Sequence, residues 1–149
     1  MPVRTVIADS MVARNVIAEA SWIVRAKAVA RDSAARFGGV VAGGVTFDVL
    51  EVLKAPNDAS LKSFTVLGHL ANRDDFNRQP VPYRTVRPSG QSGGCFAYEY
   101  RLGAQYLVFL TGSPNGGRLE PYWAPLLPTN EQISGDDDPW LRWVRARRR

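Results

Sequence analysis

Gly103-Ala-Gln-Tyr-Leu-Val-Phe-Leu110 decides how the rest of the chain is read. Tyr106 to Leu110 is an unbroken apolar run, too short for a helix and rich in β-formers. Gly103 supplies a turn at its start. The stretch therefore reads as a buried strand of a small mainly β domain, a class that more often binds than catalyses.

Outward from that strand, the chain offers four more. Trp22, Val24, Ala26 and Ala28 alternate with a more polar face over 21–30. Val45, Phe47 and Val49 share one face of a strand over 45–54, while Leu50 and Val52 take the other. That swap predicts a β-bulge between residues 49 and 50. A third strand spans 63–70, with Phe64, Val66 and Gly68 on one side. A fifth covers 119–127, confined to an edge by Pro121 and Pro125. Glycine pairs at 38–39 and 43–44 suit a long hairpin connection, and 113–117 reads as a turn.

Helices flank the strands. Ser10 is placed to cap a short helix to about Ala20, with Val12, Val16, Ile17 and Ala20 as its apolar stripe. Residues 1–9 are expected to be an arm or an edge strand. At the other end, Asp138 suits an N-cap and Pro139 the first helical position. Trp140, Trp143 and Val144 then share a face that docks on the sheet. Phe96 to Tyr100 is expected to pack on the core or form a helical turn. Five bent antiparallel strands with a short N-terminal and a C-terminal helix fit an OB-like barrel, a single domain over 1–149.

Composition narrows the functional classes. A chain of 149 residues, 45% hydrophobic and 22% charged, has the make-up of a soluble globular protein. No stretch approaches the ~20 apolar residues of a membrane span. The net charge of +5 has a local origin: five arginines lie in the last eight residues, and the remainder carries fourteen basic and fourteen acidic groups. The basic tail, 145–149, is expected to be frayed and solvated. No secretory leader is visible at the start, so the chain taken as complete is expected in the cytoplasm.

The sequence has one cysteine, Cys95, and one histidine, His69. No intrachain disulfide or cysteine zinc site can be built from them. A Cys95–His69 hydrolase dyad is one alternative, although no orienting motif surrounds either residue. Asp136, Asp137 and Asp138 miss the spacing of a cation loop and suit the start of a helix. No cofactor or metal is expected. A second alternative is single-stranded nucleic-acid binding, with Trp22, Tyr98, Tyr100, Tyr122 and Trp123 as stacking surfaces and the arginine-rich loop and tail as the charge. The 71–94 segment is long and rich in Pro, Gly and Arg. Its Phe76, Tyr83, Arg84 and Arg87 are the candidate protein-contact residues, since Arg and Tyr are favoured at interface hot spots.

Three segments carry a family resemblance: Ala20-Ser-Trp-Ile-Val-Arg-Ala-Lys-Ala28, Val45-Thr-Phe-Asp-Val-Leu-Glu-Val-Leu-Lys-Ala55, and Cys95 followed by Leu102-Gly-Ala-Gln-Tyr-Leu-Val-Phe109. In this order they resemble the netrin-like and TIMP-like OB domains, over about residues 18–127. The segments 124–132 and 137–143 resemble bacterial members of that group. The resemblance implies an OB barrel, a protein-interaction role, and export or a place at the cell envelope. Metalloprotease inhibitors of the family chelate zinc through an N-terminal cysteine. This chain begins Met1-Pro2 and has no cysteine before residue 95, so that chemistry does not carry over.

Overall fold

The computed structural model describes residues 2–37, 39–91, 96–112 and 119–148, with the side chains of the first helix described from Met11 onward. Its elements, in chain order, are α1 (Pro2–Glu19), β1 (Trp22–Asp32), β2 (Arg36–Phe37), β3 (Val40–Val41), β4 (Gly44–Lys54), β5 (Ser63–Leu67), β6 (His69–Leu70), β7 (Glu99–Tyr100), β8 (Gln105–Gly112), β9 (Leu119–Pro121), β10 (Asn130–Ile133) and α2 (Pro139–Arg145). Two short 3-10 turns, Pro56–Asp58 and Pro88–Gln91, complete the list. The turn expected at 113–117 lies outside the described residues.

The main sheet is antiparallel and ordered β10-β8-β1-β4-β5, with β9 also paired to β8. Strands β1, β4 and β5 follow one another in space. A long connection then returns the chain so that β8 lies on the far side of β1. That is a Greek key. The free edge of β8 is shared: its first half, Gln105 to Val108, pairs with β10, and its second half, Leu110 to Gly112, pairs with β9.

Two cores form on opposite faces of this sheet. The inner one gathers Trp22, Val24, Ala26 and Ala28 of β1, Val45 and Phe47 of β4, Phe64 and Val66 of β5, Tyr106, Val108 and Leu110 of β8, Leu119 of β9, and Tyr100. Phe47 stacks on Phe64 with ring centres 5.1 Å apart and meets the Tyr100 ring edge-on at 5.0 Å. The outer core fills the space between the sheet and both helices. Ala13, Val16, Ile17 and Ala20 of α1 and Trp140, Leu141 and Val144 of α2 cover Ile23, Leu53, Leu107, Phe109 and Ile133. Ala13 heads the α1 stripe, and Val12 is only half-buried. Lys54 fastens the end of α1 by donating from Nζ to the carbonyls of Ile17 at 2.9 Å and Ala18 at 3.0 Å.

The β1–β4 register carries the expected bulge. Arg25 faces Glu51 and Ala26 faces Val49, so Leu50 has no partner across the ladder and is exposed. The α2 cap also matches the expectation: Asp138 Oδ1 accepts from the backbone N–H of Trp140 at 2.9 Å and of Leu141 at 3.2 Å.

Several expectations are corrected. Helix α1 starts at Pro2, so residues 2–9 are helical, not an arm or edge strand. The third strand breaks at Gly68, where a Cβ would stand 2.6 Å from the carbonyl oxygen of Tyr98. Beyond the break, β6 pairs in parallel with β7; Phe96, Ala97 and Tyr100 are buried, so of the two expectations for 96–100 packing on the core holds and the helical turn does not. The fifth strand ends at Pro121, and the chain from Tyr122 to Thr129 is irregular. The expected closed barrel is an open, curled sheet: among the described residues, no ladder joins β9 to β5, although Leu119 packs in the same core as Phe64.

Phe47→Ala is expected to lower unfolding free energy by about 3–5 kcal/mol, as for other buried aromatics. Leu50→Ala, at the bulge, is expected to cost under about 1 kcal/mol. Urea unfolding checks both, and a large Leu50 effect would place that side chain inside.

Candidate functional site

The long Greek-key connection begins at Ala71 and is described as far as Gln91. It lies over β10, and the two are joined mainly by polar side chains. Arg87 is fully buried. Its Nη1 donates to Asp75 Oδ2 at 2.7 Å and to the Glu99 carbonyl at 2.6 Å, and its Nε donates to the Asn130 carbonyl at 2.8 Å. The guanidinium carbon also stands 5.0 Å from the Tyr100 ring centre and 5.1 Å from that of Tyr106.

Glu131, fully buried on β10, faces the same segment. Its Oε1 accepts from Asn77 Nδ2 at 2.5 Å and its Oε2 from the Arg87 backbone N–H at 3.0 Å. Burial drives this carboxyl up to about 7, against the opposing pull of Asn77 and Arg87. Gln132 adds two links: its Oε1 accepts from the Asp75 N–H at 2.7 Å, and its Nε2 donates to Asp74 Oδ1 at 2.9 Å. Ser89 bonds to Asp75 through its hydroxyl.

Of the four expected protein-contact residues, this arrangement turns two inward. Tyr83 is buried and stacks on Trp140 with ring centres 4.9 Å apart. Burial, with Asp138 and Glu131 nearby, pushes its hydroxyl up to about 12. Arg87 is the internal cation of the segment. Neither can meet a partner directly while the segment is docked, because each already fills a site inside the domain. Arg84 and Phe76 remain exposed.

Several basic groups are committed as well. Arg73 pairs with Glu99 at 2.7 Å and Arg101 with Asp74 at 2.7 Å. Arg145 clasps Glu51, at 3.2 Å through Nε and 2.6 Å through Nη2, and Arg148 stands 3.9 Å from the same carboxylate. Arg147 lies over the Trp143 ring at 4.1 Å. The tail through Arg148 is therefore folded back on the sheet, not frayed, because Glu51 and Asp136 offer it partners. Asp136 also bonds Arg25 at 3.0 Å, so the acidic cluster serves ion pairs and a helix cap.

The five aromatic residues considered for stacking do not share a platform. Trp22 and Tyr100 are in the inner core and Tyr122 is half-buried. Tyr98 and Trp123 instead flank Phe96, at 5.1 and 5.5 Å between ring centres. Together with Phe37, Leu67 and Leu119 they line an apolar groove of about 250 Å³ beside the open seam between β5 and β9. Trp123 is 60% exposed there. The sequence signal for this groove is a tryptophan held between Pro121 and Pro125, where no regular strand can bury it. His69 is exposed, with Nε2 3.5 Å from Glu99 Oε1. Cys95 lies outside the described residues. No helix among the described residues is long and apolar enough to cross a membrane.

Compared with known protein families and with curated protein sequences, the chain matches none.

Arg87→Met is expected to destabilise the domain by about 3 kcal/mol, because it removes a buried cation and leaves the half-buried Asp75 carboxylate and the Glu99 and Asn130 carbonyls without their donor. Arg84→Ala is expected to cost under about 1 kcal/mol. Urea unfolding of the two variants tests the inward assignment, and equal effects would sink it.

Proposed function

We propose that this protein is a non-enzymatic protein-binding module on an OB-like plan, similar to netrin-like and TIMP-like domains but without the inhibitory N-terminal cysteine. The Greek-key order and the seam between β5 and β9 support that plan, since OB folds are partly open five-stranded barrels. The contact face is the apolar groove beside the seam. The observation that carries this reading is Trp123, a large aromatic left mostly in water at the rim of that groove. Tryptophan and tyrosine dominate the energetic centres of protein interfaces, and an apolar pocket between them accepts an anchoring side chain.

The nucleic-acid alternative needs free positive charge along an aromatic platform. Here Arg73, Arg101 and Arg145 are paired with carboxylates and Arg87 is internal, which weighs against it.

Panning a random peptide library on the immobilised domain is expected to yield ligands with an apolar anchor. Their binding should perturb the Phe96 and Tyr98 resonances and fall at least tenfold in Trp123→Ser. A library yielding only binders indifferent to that substitution defeats the reading. So does a single-stranded oligonucleotide that binds tightly at low salt and competes at the groove.

A further inference from the structure

On the protein-binding reading above, we infer that the outer edge of β5 is a strand-addition site. An extended peptide pairs its backbone with Ser63 and Thr65 and sets an apolar side chain in the groove beyond.

The two ends of the sheet are treated differently. At one end β10 lies under the 71–91 segment, with Arg87 on the Asn130 carbonyl and the Asp75 N–H on the Gln132 side chain. At the other end β5 pairs with β4 on its inner side alone. The direction of its backbone groups follows from the register. Val49 donates its N–H to the Lys62 carbonyl at 2.8 Å, Phe47 faces Phe64, and Val45 faces Val66. In an antiparallel ladder, pairs that exchange hydrogen bonds alternate with pairs that do not. Lys62, Phe64 and Val66 therefore turn their N–H and C=O toward β4, and Ser63, Thr65 and Leu67 turn theirs away. Among the described residues, nothing bonds to those outward groups.

A row of unpaired backbone groups matches one kind of ligand, another extended chain. Only a strand repeats donors and acceptors at the same spacing. Edges meant to stay free are guarded by a charge, a proline or a bulge. Ser63 to Leu67 contains none of the three.

The space beside the edge is hollow and leads to the groove. A cavity of about 360 Å³ is lined by Ser63, Phe64 and Thr65 together with Phe37 and Leu119. Phe37 and Leu119 also line the groove, which takes over along β5 at Leu67, so the two hollows adjoin. The strand stops at Gly68, and the next residue, His69, donates its N–H to the Tyr98 carbonyl at 3.0 Å. Tyr98 is a groove residue, so the end of β5 delivers a bound chain to the aromatic rim. Backbone pairing holds any extended chain, and the groove selects the side chain that anchors it.

The probe is the tightest peptide selected from the library on the immobilised domain, resynthesised with single N-methyl groups along its length. Each N-methyl removes one backbone donor. Affinity is expected to fall by at least about tenfold at every second residue beside β5, with little change between. Amide hydrogen exchange by NMR reads the protein side of the same bonds. In the free domain Phe64 and Val66 should be protected and Ser63 and Thr65 should not; saturating peptide should protect Ser63 and Thr65 by at least about tenfold. Thr65→Pro removes an outward N–H that an edge strand can spare, and should weaken the peptide while Phe64 stays protected. N-methyl losses without period two, or Ser63 and Thr65 amides indifferent to peptide, overturn the inference. Where Trp123→Ser still weakens that peptide tenfold, the groove reading survives and strand addition alone is lost. A library without binders, or binders indifferent to Trp123→Ser, defeats both. A dimer of the free domain in sedimentation, with the Thr65 amide already protected, gives the edge to a second copy and also overturns the inference.

Discussion

The centre of strand β8, Tyr106 to Leu110, has no wet face, and the rest of the domain is arranged around that constraint. Tyr106, Val108 and Leu110 enter the inner core while Leu107 and Phe109 enter the outer one. A strand buried on both sides must be covered twice. The curled sheet supplies one cover, and the two helices supply the other. It must also be paired along both edges, since its backbone groups are out of reach of water. β1 fills one edge, and β9 and β10 divide the other between them. The docking of α2 follows, because Trp140 stands over Phe109 with ring centres 6.5 Å apart and Tyr83 then stacks on Trp140.

The same constraint explains the buried charge. Placing β8 beside β1 needs a long connection, and that connection has to run past the exposed edge of β10. Its own composition is poor in aliphatic residues, so it cannot dock by packing alone. Arg87 and Glu131 provide a polar alternative in which both Glu131 oxygens meet a donor, while Arg87 Nη2 and Asn130 Oδ1 are left without a partner. Burying such groups is weak evidence of net stabilisation, because desolvation offsets much of the attraction. What the network does fix is the path of the segment, since Asp75, Asn77 and Arg87 each reach only one set of partners.

The charge distribution looks different once the chain is folded. The tail arginines give the sequence its basic character, yet Arg145 and Arg148 lie against Glu51. Arg73, Arg87 and Arg101 are likewise turned to Glu99, Asp75 and Asp74. The surface feature that stands out is apolar, formed where β9 stops at Pro121 and leaves Trp123 beside Phe96.

Much of the architecture could be read from local pattern. The five apolar residues of β8 require burial on two sides in any fold. Period-two alternation fixes the inward face of β1, and the switch from Val49 to Leu50 fixes a bulge. Asp138-Pro139 fixes the start of α2, because capping is decided within one turn of chain. Other features had no local signal. Asn-Glu-Gln-Ile looks nothing like a buried strand, and it becomes one only because β8 offers an edge and the segment above supplies donors. Tyr83 and Arg87 look like surface residues, and their inward turn depends on chain neighbours far beyond local reach, Trp140 for Tyr83 and the carbonyls of Glu99 and Asn130 with the Asp75 carboxylate for Arg87. Residue type and spacing, acting over a few positions, set the strands, the caps and the bulge. Only chain returning from far off set the surroundings of Arg87 and Glu131 and brought Phe37 and Phe96 to the groove beside Trp123, because an environment assembled from distant segments has no imprint on the residues beside it.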